Sequence, residues 1–232
     1  EGQKVREEEL SGMTRFPVIV KPRFGSGSRG VEICGNRQEL LCFLQYELGK
    51  DTGLPEDYIA ETCIPGPEYG VDGAYVDGEF RMVLLRRKKN TPPPYRQCVG
   101  YYAQLPEEEP AFYEKCCRLM QKTGEAMGFR NCVVIRERRE DGTLTDEPFV
   151  IETSARPSGH NLSNLFTPLS TGVTLVEDFL KLALPELMDS RNENAEGLFR
   201  PEKTRKLLIR YFDLAKGTVR SVPDPGELKE RY

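Results

Sequence analysis

The pattern of hydrophobic and polar positions predicts a chain built largely from short strands. Residues 16–21, FPVIVK, are apolar and β-branched, as in a buried strand. Residues 31–34 alternate between apolar and polar side chains with the two-residue period of a strand. Asp141-Gly142 is a hairpin signal between two further strands. The remaining strands are expected at 58–64, 69–76, 133–138 and 149–153, and in a last hairpin with its turn at Lys216-Gly217.

Helical periodicity marks three segments of the chain. Asn36 and Glu39 form a capping box, and apolar residues then follow at helical spacing. Residues 109–127 carry an apolar stripe along one helical face. Thr174 and Glu177 repeat the capping-box pattern before a third stripe. We expect the two later stripes to pack as core against a sheet.

The segment VIVKPRFGSGSRGVEI contains the string G-x-G-x-x-G at Gly25, Gly27 and Gly30. In a dinucleotide-binding fold this string follows a strand and opens a helix, whose N-terminus receives the pyrophosphate. Here the strand pattern of residues 31–34 follows instead, and the helix begins only after Asn36. The glycines are therefore expected to join two antiparallel strands as a flap.

A phosphate is nevertheless a suitable ligand for this flap. A Walker loop is excluded because no G-K-[ST] follows the glycines, and a kinase loop carries its lysine later in the chain. In this sequence Lys21 ends the incoming strand, so its ammonium group can add a charge to backbone N–H groups that face phosphate oxygens. The alternative is a Gly/Ser hairpin without a ligand. The predicted phosphate site comprises Lys21, Gly25, Ser26, Gly27, Ser28 and Gly30.

The composition limits the class of protein and of partner. The chain has 232 residues, 38% of them hydrophobic and 30% charged, which is the balance of a soluble globular protein. Its net charge of −4 argues against nucleic acid as the main partner. No apolar run approaches the ~20 residues of a membrane helix, and the residues EGQKVREEEL lack a secretory signal. Seven cysteines without C-x-x-C spacing indicate free thiols. We therefore expect a cytoplasmic protein that binds neither membranes nor nucleic acid.

Two stretches in order resemble the ATP-grasp enzymes. VKPRFGSGSRGV is similar to the strand and flap that begin their nucleotide pocket, and YIAETCIPGPEYGVDGAY, residues 58–75, is similar to the hinge against which adenine lies. The resemblance implies that Glu61 accepts a hydrogen bond from the adenine amino group. It also implies that the backbone of Cys63 and Ile64 binds the adenine edge and that Glu68 holds the ribose hydroxyls.

A third stretch, FVIETSARPSGHNL, resembles the metal and substrate segment of the same family. Glu137 and Glu152 are expected to face each other across a hairpin, and Mg²⁺ would relieve the repulsion between their carboxylates. Ser154 stands where the family usually has asparagine, so its place as a metal ligand is open. Arg156 matches the family's arginine, which holds the acyl phosphate or the substrate carboxylate.

The basic run RRKKNTPPPYRQ, residues 86–97, lies between these stretches. The resemblance implies that one cation of this strand reaches the γ-phosphate. Arg86 and Lys88 are the two candidates, of which we assign Lys88, although the sequence does not decide which basic residue faces the phosphates. Attraction of anions toward the pocket is an alternative use of the run.

The resemblance covers residues 15 to about 220 and implies an α+β ATP-grasp fold, in which two subdomains with mainly antiparallel sheets enclose ATP. We expect residues 1–66 to form the first, incomplete subdomain and residues 67–232 to form the second. The family normally has a preceding domain and another ATP-binding lysine some forty positions before the one matched by Lys21, by the resemblance and ordinary domain sizes. Lys4 lies too near in the sequence to match it, so we expect the chain to be part of a longer enzyme.

The implied activity is that of an ATP- and Mg²⁺-dependent ligase. It would convert a small-molecule carboxylate to an acyl phosphate, which an amine then attacks. Formation of carboxyphosphate, as in carbamoyl phosphate synthase or biotin carboxylase, is an alternative, and so is a non-catalytic nucleotide-binding module. Phosphoryl transfer to a hydroxyl is a further option. The sequence identifies neither acid nor amine and is compatible with a homodimer.

Overall fold

The structure is a computed structural model that describes most of the chain. The described residues are 3–5, 15–23, 30–48, 58–92, 97–127, 131–154, 156–188 and 194–211, together with 218 and 221.

The first part of the chain forms a four-stranded antiparallel sheet with one helix. The strand order is β1-β4-β2-β3. Val18, Val20, Leu40 and Tyr58 are buried in the core that this sheet shares with the helix. The elements are β1 (Gln3–Val5), β2 (Val18–Pro22), β3 (Glu32–Cys34), α1 (Arg37–Leu48) and β4 (Tyr58–Thr62).

The glycine segment joins two antiparallel strands, as the sequence predicts. β2 pairs with β3, with Ile19 opposite Ile33, so the chain leaves and re-enters the same sheet. The helix α1 follows only after Asn36, whose Oδ1 accepts the Glu39 N–H at 3.0 Å. Glu39 Oε2 in turn accepts the Gly35 N–H at 2.7 Å, which completes a capping box displaced by one residue. The dinucleotide-binding arrangement is thereby excluded.

The second part forms a six-stranded antiparallel sheet in the order β10-β7-β6-β5-β8-β9. Helix α2 (Pro110–Met127) packs on one face, where Phe112, Cys116 and Met120 are buried against the sheet. This confirms the core role of the predicted stripe. The strands are β5 (Glu68–Val76), β6 (Glu79–Asn90), β7 (Cys98–Gln104), β8 (Asn131–Arg138), β9 (Leu144–Ser154) and β10 (Leu208–Arg210).

The face opposite α2 is covered only in part. Leu162 and Phe166 pack there against Leu84 and Tyr101. Farther along the same face, Ala74, Val76 and Val83 are buried against Val173, Leu175 and Phe199. Asp72 and Arg86 are buried polar residues of the same two strands. The covering elements are a π-helical turn (Leu162–Phe166), α3 (Thr167–Thr171), α4 (Leu175–Ala183) and a 3₁₀ turn (Pro185–Leu187).

The capping box at Thr174 and the last hairpin are the two local predictions that concern the end of the chain. Helix α4 begins directly after Thr174, but the Thr174 side chain makes no capping hydrogen bond, so the second capping box is wrong. Glu177 instead pairs with Lys181 at 2.9 Å, one helical turn later. In the last predicted hairpin, Leu208–Arg210 forms a strand on β7. The turn lies outside the described residues. Of the predicted returning strand, residues 218–222, only Thr218 and Ser221 are described, and neither is in a strand.

The described elements confirm the α+β class. The sheets change between Thr62 and Glu68, so the predicted boundary at residue 66 falls within the connection. The extents of the two subdomains remain a prediction. Among the described residues, every helix is too short or too polar to span a membrane.

Candidate functional site

Lys21 connects the two sheets. Its Nζ lies 2.6 Å from Glu61 Oε2 within the first sheet. It also donates to the Ile151 carbonyl at 3.5 Å, on the last long strand of the second sheet. Because Ile151 precedes Glu152, the contact brings the predicted phosphate lysine next to a predicted metal ligand.

Gly30 ends the glycine segment with a positive φ of 69°, a conformation that favours glycine. A Cβ at this position would lie 3.5 Å from the Pro22 ring, so the backbone conformation and not lack of space explains the residue. The predicted phosphate-binding residues Gly25, Ser26, Gly27 and Ser28 lie outside the described residues. Their role stays a prediction.

The connection between the sheets is fixed from the first-sheet side. The Cys63 N–H donates to the Pro17 carbonyl at 3.1 Å, so this donor is already used. Ile64 follows directly and is partly exposed. Of the two backbone positions predicted to bind adenine, Ile64 is therefore the better candidate donor.

The connection is also held from the second-sheet side. The Pro65 and Pro67 carbonyls accept from the Arg138 N–H at 2.6 Å and the Arg136 N–H at 3.0 Å. Gly66 lies between them, and a Cβ there would come within 1.8 Å of the Arg136 carbonyl oxygen. Only glycine allows the connection to approach β8 this closely.

Glu68 and Lys88 form an ion pair at the start of β5. Lys88 Nζ lies 2.6 Å from Glu68 Oε2, and both side chains are about one-fifth exposed. Along β6, Lys88 shares a face with Arg86, whereas Arg87 and Lys89 alternate to the other side and are exposed. The basic run therefore presents Lys88 on the same face as the predicted ribose ligand.

Arg86 is engaged within the second sheet. Its guanidinium forms an ion pair with Asp72 and donates to Ser158 Oγ at 2.6 Å. Burial lowers the pKa of Arg86 to about 10, which still leaves the group charged at neutral pH. The sequence analysis did not single out Asp72, although a charged residue in the apolar stretch YGVDGAY is a signal for a buried pair.

The predicted opposition of Glu137 and Glu152 is wrong. Glu152 pairs with Val133, four positions from Glu137 on β8, or ~13 Å along a strand. Register shifts at two places in the hairpin change which residues meet. Among the described residues, no group of three or more His, Cys, Asp or Glu side chains is close enough to share a metal ion.

Ser154 and Arg156 are neighbours at the end of β9. Ser154 Oγ accepts the Arg156 N–H at 3.3 Å, so the hydroxyl supports the backbone of the following loop. The Arg156 side chain is exposed, and its guanidinium donates to the Pro157 carbonyl at 3.1 Å. Both residues lie at the end of the strand that carries Glu152.

A cleft of about 810 Å³ lies elsewhere, at the edge of the second sheet. The cleft is lined by Arg87, Lys88 and Lys89, of which Lys88 alone is a predicted site residue. This cleft lacks the connection between the sheets and the contact of Lys21 with Ile151. We therefore place the candidate site between the sheets and not in this cleft.

Comparison with known proteins shows the family of the chain. The sequence profile of the ATP-grasp domain matches residues 14–163, more than half of the chain. The uncharacterized protein y4rH of Sinorhizobium fredii is 30% identical over 179 residues, which are 74% of this chain and 34% of that protein.

Solved structures extend the similarity to nearly the whole chain. L-amino acid ligase from Bacillus licheniformis superimposes with a TM-score of 0.71 at 23% identity, over 99% of this chain and 53% of the ligase. Phosphoribosylglycinamide synthetase from Anaerococcus prevotii gives a TM-score of 0.58 at 19% identity, over 90% of this chain and 50% of that enzyme. The chain thus spans about half the length of these proteins, and the similarity establishes its fold.

Proposed function

Because the chain belongs to the ATP-grasp family, we propose that it binds Mg·ATP between its two sheets and activates a carboxylate for attack by an amine. The contact of Lys21 with Ile151 is the observation that supports this most directly. A cation of the first sheet thus contacts the residue that precedes Glu152 on the second sheet, which supports binding of a metal-bound phosphate between them. Because the chain spans about half the length of the solved relatives, the whole reaction is a proposal.

The nucleotide would lie with its adenine at the connection and its phosphates at Lys21. Glu61 already accepts from Lys21, and a carboxylate can accept a further hydrogen bond from the adenine amino group. Ile64 would donate to the ring edge, with Cys63 contributing its carbonyl. Glu68 would accept from the ribose hydroxyls, and Lys88 beside it would reach toward the phosphates.

The residues around Glu152 can hold Mg²⁺ through a single carboxylate. Mg²⁺ is commonly held by one or two carboxylates together with substrate phosphates and water. Glu152 supplies one carboxylate, Ser154 can hold a water, and Glu137 is too far along β8 to share the same ion. When bound, the ion would neutralise phosphate charge. Arg156 would hold the acyl phosphate or carboxylate, since its planar fork matches either anion.

A non-catalytic nucleotide-binding module is the second candidate. The position opposite Glu152 is Val133, which offers no ligand atom, and the Ser154 hydroxyl is used by the Arg156 N–H. A single carboxylate can support nucleotide binding but stabilises the charge of phosphoryl transfer less well than two. Measurement of phosphate release from ATP distinguishes the two candidates.

Alkylation of Cys63 tests where the nucleotide binds. We expect Mg·ADP to slow the reaction of Cys63 with iodoacetamide at pH 8, because the proposed adenine position covers this half-buried thiol. Peptide mass spectrometry measures the rate for each cysteine. Burial raises the pKa of Cys34 to about 11 and that of Cys117 to about 11, so both should react slowly with or without nucleotide. The exposed Cys42 is the control, and equal protection of Cys42 and Cys63 would contradict the assignment.

Glu68→Ala tests the ribose contact. We expect it to weaken ATP binding more than binding of 2′,3′-dideoxy-ATP, because the lost acceptor matters only when ribose hydroxyls are present. One hydrogen bond to a charged group contributes roughly 1.5–3 kcal/mol. Calorimetric titration of both nucleotides gives the difference. The same loss for both ligands would mean that Glu68 acts only through Lys88.

A further inference from the structure

The loop formed by residues 156–161 follows β9 and carries Arg156, the proposed anion ligand. The Arg156 side chain is exposed. Its guanidinium donates a hydrogen bond to the carbonyl of the adjacent Pro157. The position of this cation therefore depends on how firmly the loop backbone is held.

The loop backbone adopts a conformation that requires support. His160 and Asn161 have φ values of 55° and 59°, which residues with a side chain rarely adopt. Such backbone persists only where surrounding contacts fix it. The Tyr211 hydroxyl donates to the His160 carbonyl at 3.2 Å and holds the far end of the loop.

The near end of the loop is held by a closed cycle of three polar side chains. Arg86 donates to Ser158 Oγ at 2.6 Å, the Ser158 hydroxyl donates to Asp72 Oδ1 at 2.7 Å, and Asp72 pairs with Arg86. The side chains of Arg86 and Asp72 are only 4% and 2% exposed. Hydrogen bonds to ionised groups that are shielded from water are stronger than those between neutral groups.

The sheet is shaped to hold this charge pair. Gly70 lies next to Arg86 across the strand pair, and a Cβ at Gly70 would come within 2.7 Å of the guanidinium. The guanidinium carbon also lies 5.4 Å from the centre of the Tyr101 ring. These contacts come from rigid strands, so Arg86 and Asp72 form a fixed anchor for Ser158.

We propose that Asp72, Arg86 and Ser158 form a latch that fixes the 156–161 loop and thereby positions Arg156 for its anion. The three are positioning residues, because they act on the ligand only through the loop. The consequence for Arg156 rests on the proposed function. The latch itself is a property of the folded chain and can be tested without nucleotide.

Hydrogen exchange tests the latch directly. We expect Ser158→Ala to speed exchange of the amides of residues 158–163 by about tenfold or more, as follows from losing a hydrogen bond to a charged group. Ser158→Thr keeps a hydroxyl and should restore most of the protection. Ser170→Ala is the matched control, since it removes a buried hydroxyl that binds the Arg205 carbonyl at 3.0 Å outside the loop. Unchanged exchange in Ser158→Ala, or an equal change in Ser170→Ala, would overturn the latch.

A second measurement tests the consequence for Arg156. With the chain saturated by Mg·ADP, Ser158→Ala should weaken binding of inorganic phosphate by about tenfold and leave the affinity for Mg·ADP unchanged. Ser158→Thr should recover the phosphate affinity. Unaltered phosphate affinity despite faster exchange, or an equal loss for both ligands, would overturn the positioning role. If the unaltered chain binds neither ligand, the proposed function fails while the exchange result still decides the latch.

Discussion

Replacing Lys21 by alanine is expected to weaken Mg·ATP binding by about 10- to 100-fold, since a hydrogen bond to a charged group contributes roughly 1.5–3 kcal/mol. The loss has two sources. The phosphates lose a cation held between the sheets at the Ile151 carbonyl, and Glu61 keeps an unpaired charge next to the proposed adenine position. Calorimetric titration with Mg·ATP measures the effect.

Lys4 provides the comparison for this prediction. Lys4 on β1 and Lys21 on β2 pair with opposite sides of Ile59 on the intervening strand β4. The two lysines therefore lie at the same level of the sheet, on either side of β4. Lys4→Ala should weaken Mg·ATP binding less than Lys21→Ala. The exposed Lys122 on α2 is a further control, and Lys122→Ala should have no effect. Equal losses for Lys21→Ala and Lys4→Ala would contradict the assignment of Lys21.

Replacing Glu152 by glutamine is expected to remove the dependence of ATP binding on Mg²⁺. Glu152 is the proposed metal ligand, and its neighbour Ile151 contacts Lys21. An amide oxygen without charge binds a hard cation less well than a carboxylate. The measurement is the ratio of the ATP dissociation constants with and without Mg²⁺. For Glu152→Gln this ratio should fall to about one, because no metal bridge would remain.

Two variants serve as controls for the metal assignment. Glu137→Gln should preserve the Mg²⁺ dependence, because its backbone lies four positions from the residue opposite Glu152. Ser154→Ala should also leave it nearly unchanged, since the hydroxyl accepts from the Arg156 N–H. If Glu152→Gln retains the full Mg²⁺ dependence while Glu137→Gln loses it, the metal site has been assigned to the wrong carboxylate.

The strand and helix that follow the glycine segment could be predicted from the sequence, because short-range interactions determine both. The alternation of residues 31–34 identified a strand after the glycines, and the Asn36 cap then placed the helix. Both depend on interactions within a few residues. The same reasoning failed at Thr174, where the helix begins as predicted but Glu177 pairs with Lys181 in place of the backbone.

The opposition of Glu137 and Glu152 does not follow from the turn between β8 and β9. A two-residue turn at Asp141-Gly142 sets Glu137 opposite Asp146, six positions before Glu152. The two irregularities in the strand pair shift the register by only one or two positions each, and neither leaves a clear mark in the sequence.

The latch was missed for a related reason. Ser158 lies 72 positions from Arg86 and 86 positions from Asp72, so only the assembled sheet brings them together. The sequence did suggest Arg86 as a cation of the pocket. The structure instead uses it as an anchor beneath the loop and leaves Lys88 with Glu68.

A crystal structure of the chain with Mg²⁺ and a non-hydrolysable ATP analogue tests the central claim most directly. The account predicts adenine against Cys63 and Ile64, with a phosphate oxygen within hydrogen-bonding distance of Lys21 Nζ and Mg²⁺ bound by Glu152. Binding of the analogue in the cleft lined by Arg87 and Lys206, or failure of a phosphate to contact Lys21, would contradict it.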